Sequence, residues 1–179
     1  RKNALAAFYT SPVWKENAKA ANATIHESGN VLLLHPAHPT SGFNLKDSGR
    51  PPLGSTSPQS GFVTATIYYF EEPVRSEFIQ FFEKTVKPIM TGSGASILSY
   101  FVTEESPNNY PRLSIREGEH VFVWFAGFPS AESHQKSLAR LALTTAWGLI
   151  QAELNQRIHG EPETMRLTPT PRSWLTGIP

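Results

Sequence analysis

The sequence predicts an α+β fold built on a ferredoxin-like β-α-β-β-α-β module, and three observations predict it. Phe62 to Phe70 alternates as a strand and is followed by an amphipathic helical stretch. Two more strand-like runs, a second helical stretch and a short last strand complete the order. The start of the chain also repeats the end of that module without a gap.

Taken in order, Trp14, Ala18, Ala21 and Ile25 recur at helical spacing, and Ser11-Pro12 provides a start with proline in the first turn. Ser28-Gly29-Asn30 stops that helix, and Val31 to Leu34 is an apolar run of strand length. Residues 37–61 are dominated by Pro, Gly and Ser and read as a linker that wraps over a surface. In the strand 62–70, Val63, Ala65 and Ile67 share one face, while Thr64, Thr66 and Tyr68 share the other. Phe78, Phe81, Phe82, Val86 and Ile89 mark the apolar face of the next helix, which Pro88 and Gly92/Gly94 are expected to end. Strands follow at 95–103 and 120–126, separated by a long polar connection. A helical stretch then covers 131–158 with a break near Thr144-Thr145, and a last strand covers 163–168.

The repeat has a constant offset. Leu5-Ala6 meets Leu138-Ala139, Trp14 meets Trp147, Asn22 meets Asn155, Ile25-His26 meets Ile158-His159, and Leu34 and Pro36 meet Leu167 and Pro169. Residues 1–36 then correspond to the second helix and last strand of a first module. By analogy, roughly seventy residues of that module are expected before Arg1. The division expected is residues 1–36, a linker at 37–61, a complete module at 62–170 and a tail at 171–179.

Composition excludes several classes. Sixteen basic residues face fifteen acidic ones, so no electrostatic footprint for nucleic acid or anionic membrane is expected. No stretch approaches the ~20 apolar residues of a membrane span. Without cysteine there is no disulfide, thiolate metal site or thiol nucleophile, and a cytoplasmic location is compatible. Gly92-Ser93-Gly94 lies in a TGSGAS run that lacks the lysine of a P-loop, and no GxSxG elbow occurs.

The module quoted as LSYFVTEE, YPRLSIREGE and VFVWFAGF, together with LAAFYTSPVW and NVLLLHP near the start, resembles the NIPSNAP family of the dimeric α+β barrel superfamily. The resemblance implies two modules facing sheet to sheet, with eight strands closed into a barrel and helices outside. It also implies a small-molecule-binding barrel with no cofactor, whose enzymatic form would be a cofactor-independent monooxygenase-like activity. A non-catalytic interaction or scaffold protein is the alternative, and a haem-binding barrel the third. The expected partners are a small apolar or aromatic ligand and either a second copy or the missing N-terminal part.

On that model Thr64, Thr66, Tyr68, His120, Phe122 and Trp124 line the barrel, and Val63, Ala65 and Ile67 face the helices. Thr66, Tyr68, His120 and Trp124 are the candidate ligand-binding residues, a mixed aromatic and polar set that suits a pocket. His120 is the candidate general base, because its unperturbed pKa lies near neutrality. Arg112 and Arg116 in the polar hairpin are candidates for a ligand carboxylate, with salt bridges to nearby glutamates as the plain structural reading. His26 and His159 read as helix C-terminal residues, and His35/His38 lack the partners of a metal site.

Overall fold

The computed structural model describes residues 1–45, 49–57 and 59–175. The chain forms two compact units. One comprises Arg1–Leu34 with Glu104–Glu119, the other His35–Thr103 with His120–Pro179. Against the expected division, the polar connection after residue 103 groups with the N-terminal segment, and the 37–61 segment and the C-terminal tail group with the module.

The N-terminal unit is a helical hairpin and a loop. Helix α1 (Lys2–Thr10) was not anticipated as separate from α2 (Pro12–Ala23). The Ser11 side chain accepts a hydrogen bond from the Trp14 backbone N–H, and Pro12 occupies the first turn, so the chain breaks and restarts at Ser11. Trp14 packs on Phe8 and Tyr9 at ring distances of 5.2 and 4.8 Å, and Tyr9 stacks on Tyr110 of the loop at 6.1 Å. Neither helix carries a fully buried residue.

The larger unit holds the sheet. Its strands are β1 (Leu34–Pro36), β2 (Phe62–Phe70), β3 (Ser96–Thr103), β4 (His120–Phe128) and β5 (Glu163–Leu167), in the order β1-β3-β4-β2-β5. β2 pairs antiparallel with both β4 and β5, and β4 pairs antiparallel with β3. The four strands after β1 therefore have the order of a ferredoxin-like sheet. β1 begins three residues later than its apolar run suggests. The segment after it is tied to β3 by Ala37 N–H to Tyr100 O (3.3 Å) and Tyr100 N–H to Ser41 O (2.9 Å).

Helix α3 (Ser76–Phe81) passes through a π-helical turn, Phe82–Val86, into α4 (Lys87–Ser93). Pro88 does not end the helix, contrary to expectation. Proline lacks an N–H and clashes with the carbonyl four residues back, and the wider π turn just before it accommodates both defects. The stop comes at Gly94, whose φ of +110° allows the Ala95 N–H to reach Met90 O and the Gly94 N–H to reach Thr91 O. That is a Schellman termination. Helices α5 (Ala131–Ala142) and α6 (Thr145–Arg157) break where expected, at Leu143-Thr144, and Ser130 caps α5 by accepting from the Ser133 N–H.

The assignment of the two sheet faces is reversed relative to the sequence reading. Tyr68, Tyr100, Phe122, Trp124, Ala126 and Phe128 share the core with Phe78, Phe82, Val86 and Met90 of the α3–α4 segment and with Leu141, Ile150 and Leu154 of α5 and α6. The aromatic face is thus the helix face. Large rings on the helix need large rings opposite them to fill the layer, and Phe82, fully buried, lies 4.7 Å from Phe122 and 5.2 Å from Tyr100. The aliphatic face carries Val63, Ala65, Ile67, Val121 and Val123, all buried. There Phe43 of the 37–61 segment meets Phe101 at 5.6 Å and Phe125 at 5.0 Å. That segment is linked to the C-terminal tail by Arg172 Nε donating to Pro51 O and Gln59 Nε2 donating to Pro171 O.

The start of the same segment is fastened by a cluster that sequence reading did not anticipate. Glu83, on the π turn, accepts from the Tyr100 hydroxyl at 2.5 Å, and His38 Nε2 lies 2.7 Å from both groups. His38 Nδ1 faces the Thr40 backbone N–H at 3.1 Å, so it is the acceptor and Nε2 carries the proton. The Tyr100 hydroxyl holds the Glu83 carboxyl below the usual carboxylate range, helped by His38 and Lys87 and opposed by burial. A carboxylate with a depressed pKa stabilises the fold above its unfolded pKa, and that contribution is lost as the pH falls through the folded value. Glu83→Gln is therefore expected to lower stability at pH 7 by about 1 kcal/mol, because the cluster is partly exposed. The difference from the parent should shrink below about pH 4. Urea unfolding at pH 7 and in acid measures both; equal losses at the two pH values would contradict this account.

Candidate functional site

A cavity of about 210 Å³ lies on the helix side of the sheet. β2 supplies Thr64, Thr66 and Tyr68, β4 supplies Trp124 and Phe128, and β5 supplies Thr164. The alternation of each strand puts these side chains on one face. Pairing aligns them further: Thr66 is opposite Trp124 on one side and Thr164 on the other, with 3.3 Å between the two threonine hydroxyls. From α5, α6 and the residues after them come His134, Leu138, Leu141, Trp147, Gln151, Leu154, Asn155 and Ile158. Leu138 and Leu141 fall on the face of His134 because they follow it by four and seven residues, one and two helical turns.

Burial governs the electrostatics. Tyr68 is buried, and its phenol is pushed up to about 12. The Trp124 indole N–H acts on this hydroxyl in the opposite sense, lowering its pKa, but the pair does not reach hydrogen-bond geometry and Trp124 Nε1 is buried without a partner. His134 is buried between Phe62, at 5.0 Å, and Phe128, at 4.8 Å. Burial lowers its pKa, and the positive charge of Arg166 lowers it further, so the imidazole is neutral at physiological pH. His134 Nδ1 is also buried without a partner. The lining contains no carboxylate and no cationic side chain.

The structure brings Thr66, Tyr68 and Trp124 together in this cavity. His120, at the first residue of β4 and opposite Phe70, is not in its lining, so the proposed general base does not share a site with them. The reason is position along the strand: inward residues recur at every second position of β4, and His120 lies two such steps from Trp124 at the strand end. Arg112 and Arg116 belong to the N-terminal unit. Arg112 is exposed. Arg116 donates to Glu119 at 2.9 Å and to the Asn30 side chain at 3.5 Å, which is the structural role weighed for it above. His159 lies just past α6 with its N–H on Tyr69 O, and its ring is 3.3 Å from Glu71. Among the described residues no group of His, Asp and Glu could hold a metal ion, and no helix is long and apolar enough to cross a membrane.

His134 was missed in the sequence because its surroundings, AESHQKSLARLA, read as a polar helix. The signal was the spacing His134, Ser137, Leu141, a stripe that the structure buries.

No family model matches the chain, and no curated protein matches it. Among solved structures, the chain is similar to a NIPSNAP family protein from Agrobacterium tumefaciens, with 21% identity over 62% of this chain and 93% of that one and a TM-score of 0.48. It is similar to a NIPSNAP-like domain protein from Burkholderia xenovorans, with 21% identity over 68% and 93% and a TM-score of 0.48. It is also similar to SnoaB, a cofactor-independent oxygenase from Streptomyces nogalater, with 11% identity over 62% and 93% and a TM-score of 0.39.

Tyr68 gives the cavity a titration signature. A phenol whose folded pKa is raised contributes stability below its unfolded pKa of about 10, and that contribution is lost as pH rises through the folded value. An ultraviolet titration of the native protein should show one tyrosine ionising near pH 12 that disappears in Tyr68→Phe. The variant should also lose less stability between about pH 10 and 12 than the parent does. A Tyr68→Phe protein with an unchanged alkaline titration would refute the assignment.

Proposed function

We propose that this protein binds a small, uncharged organic molecule in the cavity between the sheet and helices α5 and α6. The observation that supports this best is a lining of aromatic and aliphatic side chains interrupted by a few polar groups, two of which are buried and unpaired. A volume of about 210 Å³ suits one or two rings. An apolar cavity of ~150 Å³ already takes benzene. A tetrapyrrole is several times too large, which argues against a haem role.

The cavity is tested by plugging it. Leu138 lines it from the exposed side of α5, so Leu138→Trp can fill it without disturbing the core. Toluene, phenol and indole are expected to bind the parent protein in calorimetry, and Leu138→Trp should weaken each by at least about tenfold, which corresponds to ~1.4 kcal/mol. Failure of all three probes to bind, or unchanged binding in the variant, would overturn the reading.

A second reading, association through an apolar surface, has a separate observation in its favour. Leu143, at the corner joining α5 to α6, and Leu149, one turn into α6, are 89% and 70% exposed. If this corner mediates self-association, Leu143→Glu with Leu149→Glu should reduce the molar mass measured by light scattering. A parent protein that is already monomeric at high concentration excludes it.

A further inference from the structure

Three buried side-chain atoms among the described residues have no hydrogen-bond partner: Ser99 Oγ, Trp124 Nε1 and His134 Nδ1. Folded proteins leave few such groups, because each costs roughly 1–3 kcal/mol of desolvation. Two of the three belong to residues that line the same cavity. Their coincidence there is explained if a bound molecule supplies the missing partners.

The two atoms ask for different things. An indole N–H can only donate, so Trp124 needs an acceptor. A neutral imidazole has one donor and one acceptor, and an unpaired buried N–H is rarer in proteins than an unpaired acceptor. Nδ1 is therefore assigned the lone pair, and it needs a donor. The rest of the lining narrows the ligand's charge. The titratable side chains in it are Tyr68 and His134, and both are neutral at pH 7. An ionised ligand would be desolvated there with no opposite charge in the wall. Arg166, which acts on His134 from β5, is outside the lining.

We infer that the cavity selects a neutral ring compound carrying a carbonyl-type acceptor for Trp124 and a hydroxyl donor for His134, a hydroxyaryl carbonyl being the simplest such class. This rests on the binding reading above and names its ligand chemistry. Trp124 and His134 are then specificity-determining residues, and Thr64, Thr66 and the aliphatic side chains of α5 and α6 shape the space around the ring.

The test uses matched probes on the parent protein: toluene, phenol, acetophenone and benzoate, each by calorimetry. Phenol and acetophenone are expected to bind about tenfold more tightly than toluene, in keeping with one relieved buried polar group apiece. Benzoate should bind more weakly than any of them. His134→Phe should remove the advantage of phenol over toluene while leaving that of acetophenone, and Trp124→Phe should do the reverse. Should either variant fold poorly, the imidazole nitrogen signals of the parent give the same answer by nuclear magnetic resonance. They should move on adding phenol and stay in place on adding toluene. Equal affinity for the three neutral rings would sink the polarity assignment and leave the cavity as a ligand site. No binding of any ring would sink the cavity itself.

Discussion

Phe82 touches three rings of the sheet at once: Phe122 at 4.7 Å, Tyr100 at 5.2 Å and Trp124 at 5.6 Å. It is fully buried, and Phe78 extends the layer to Phe122 and Phe70. Each buried ring removes a large apolar area from water, and the edge-to-face geometry adds to that. This layer decides which side of the sheet the helices cover. Because Trp124 and Tyr68 are part of it, it also decides which space these two residues line, one floored by strands and walled by helices. The cavity is the part of that layer which the rings leave unfilled.

The order of elements was legible because period-two and period-3.6 patterns are strong in this chain. Phe62–Phe70 was recovered to the residue, and the start of β4 at His120 likewise. What alternation cannot supply is direction. It sorts β2 into Val63, Ala65 and Ile67 against Thr64, Thr66 and Tyr68, but both sets are buried here, so the polar character of the second set gave no guide to its side. Threonine hydroxyls and a phenol looked like the wall of a lumen. They are instead the polar floor beneath two helices. Thr66, Tyr68 and Trp124 were still recognised as a set, since residues that share a face stay together whichever face it is.

The remaining site residues were less visible for a different reason. His134 and Glu83 lie on helical segments rich in charge, where a single titratable residue reads as solvated. Burial of His134 depends on Phe62 and Phe128, distant in sequence, and the Glu83 cluster depends on a residue of the linker and another on β3. Contacts of that kind are products of the assembled sheet and leave little trace in local pattern. Pro88 misled for the opposite reason: a strong local signal for termination was overridden by a turn of unusual width.

That turn has an evolutionary and engineering consequence. A π turn holds one residue more than the α-helix it interrupts. Deleting a single residue between Phe82 and Val86 would convert the wide turn to α-helix and leave everything downstream in nearly the same phase about the axis, because the π turn already absorbs the extra residue. Met90 and Ser93, both buried, would stay on the core face with the Ser93 contact to Ser137 of α5, 2.6 Å between hydroxyls, whereas a deletion at Lys87–Ile89 would turn them away by roughly 100°. At the π turn one residue can therefore be lost without a change of phase, and a deletion there should be better tolerated than the same deletion elsewhere along the helix.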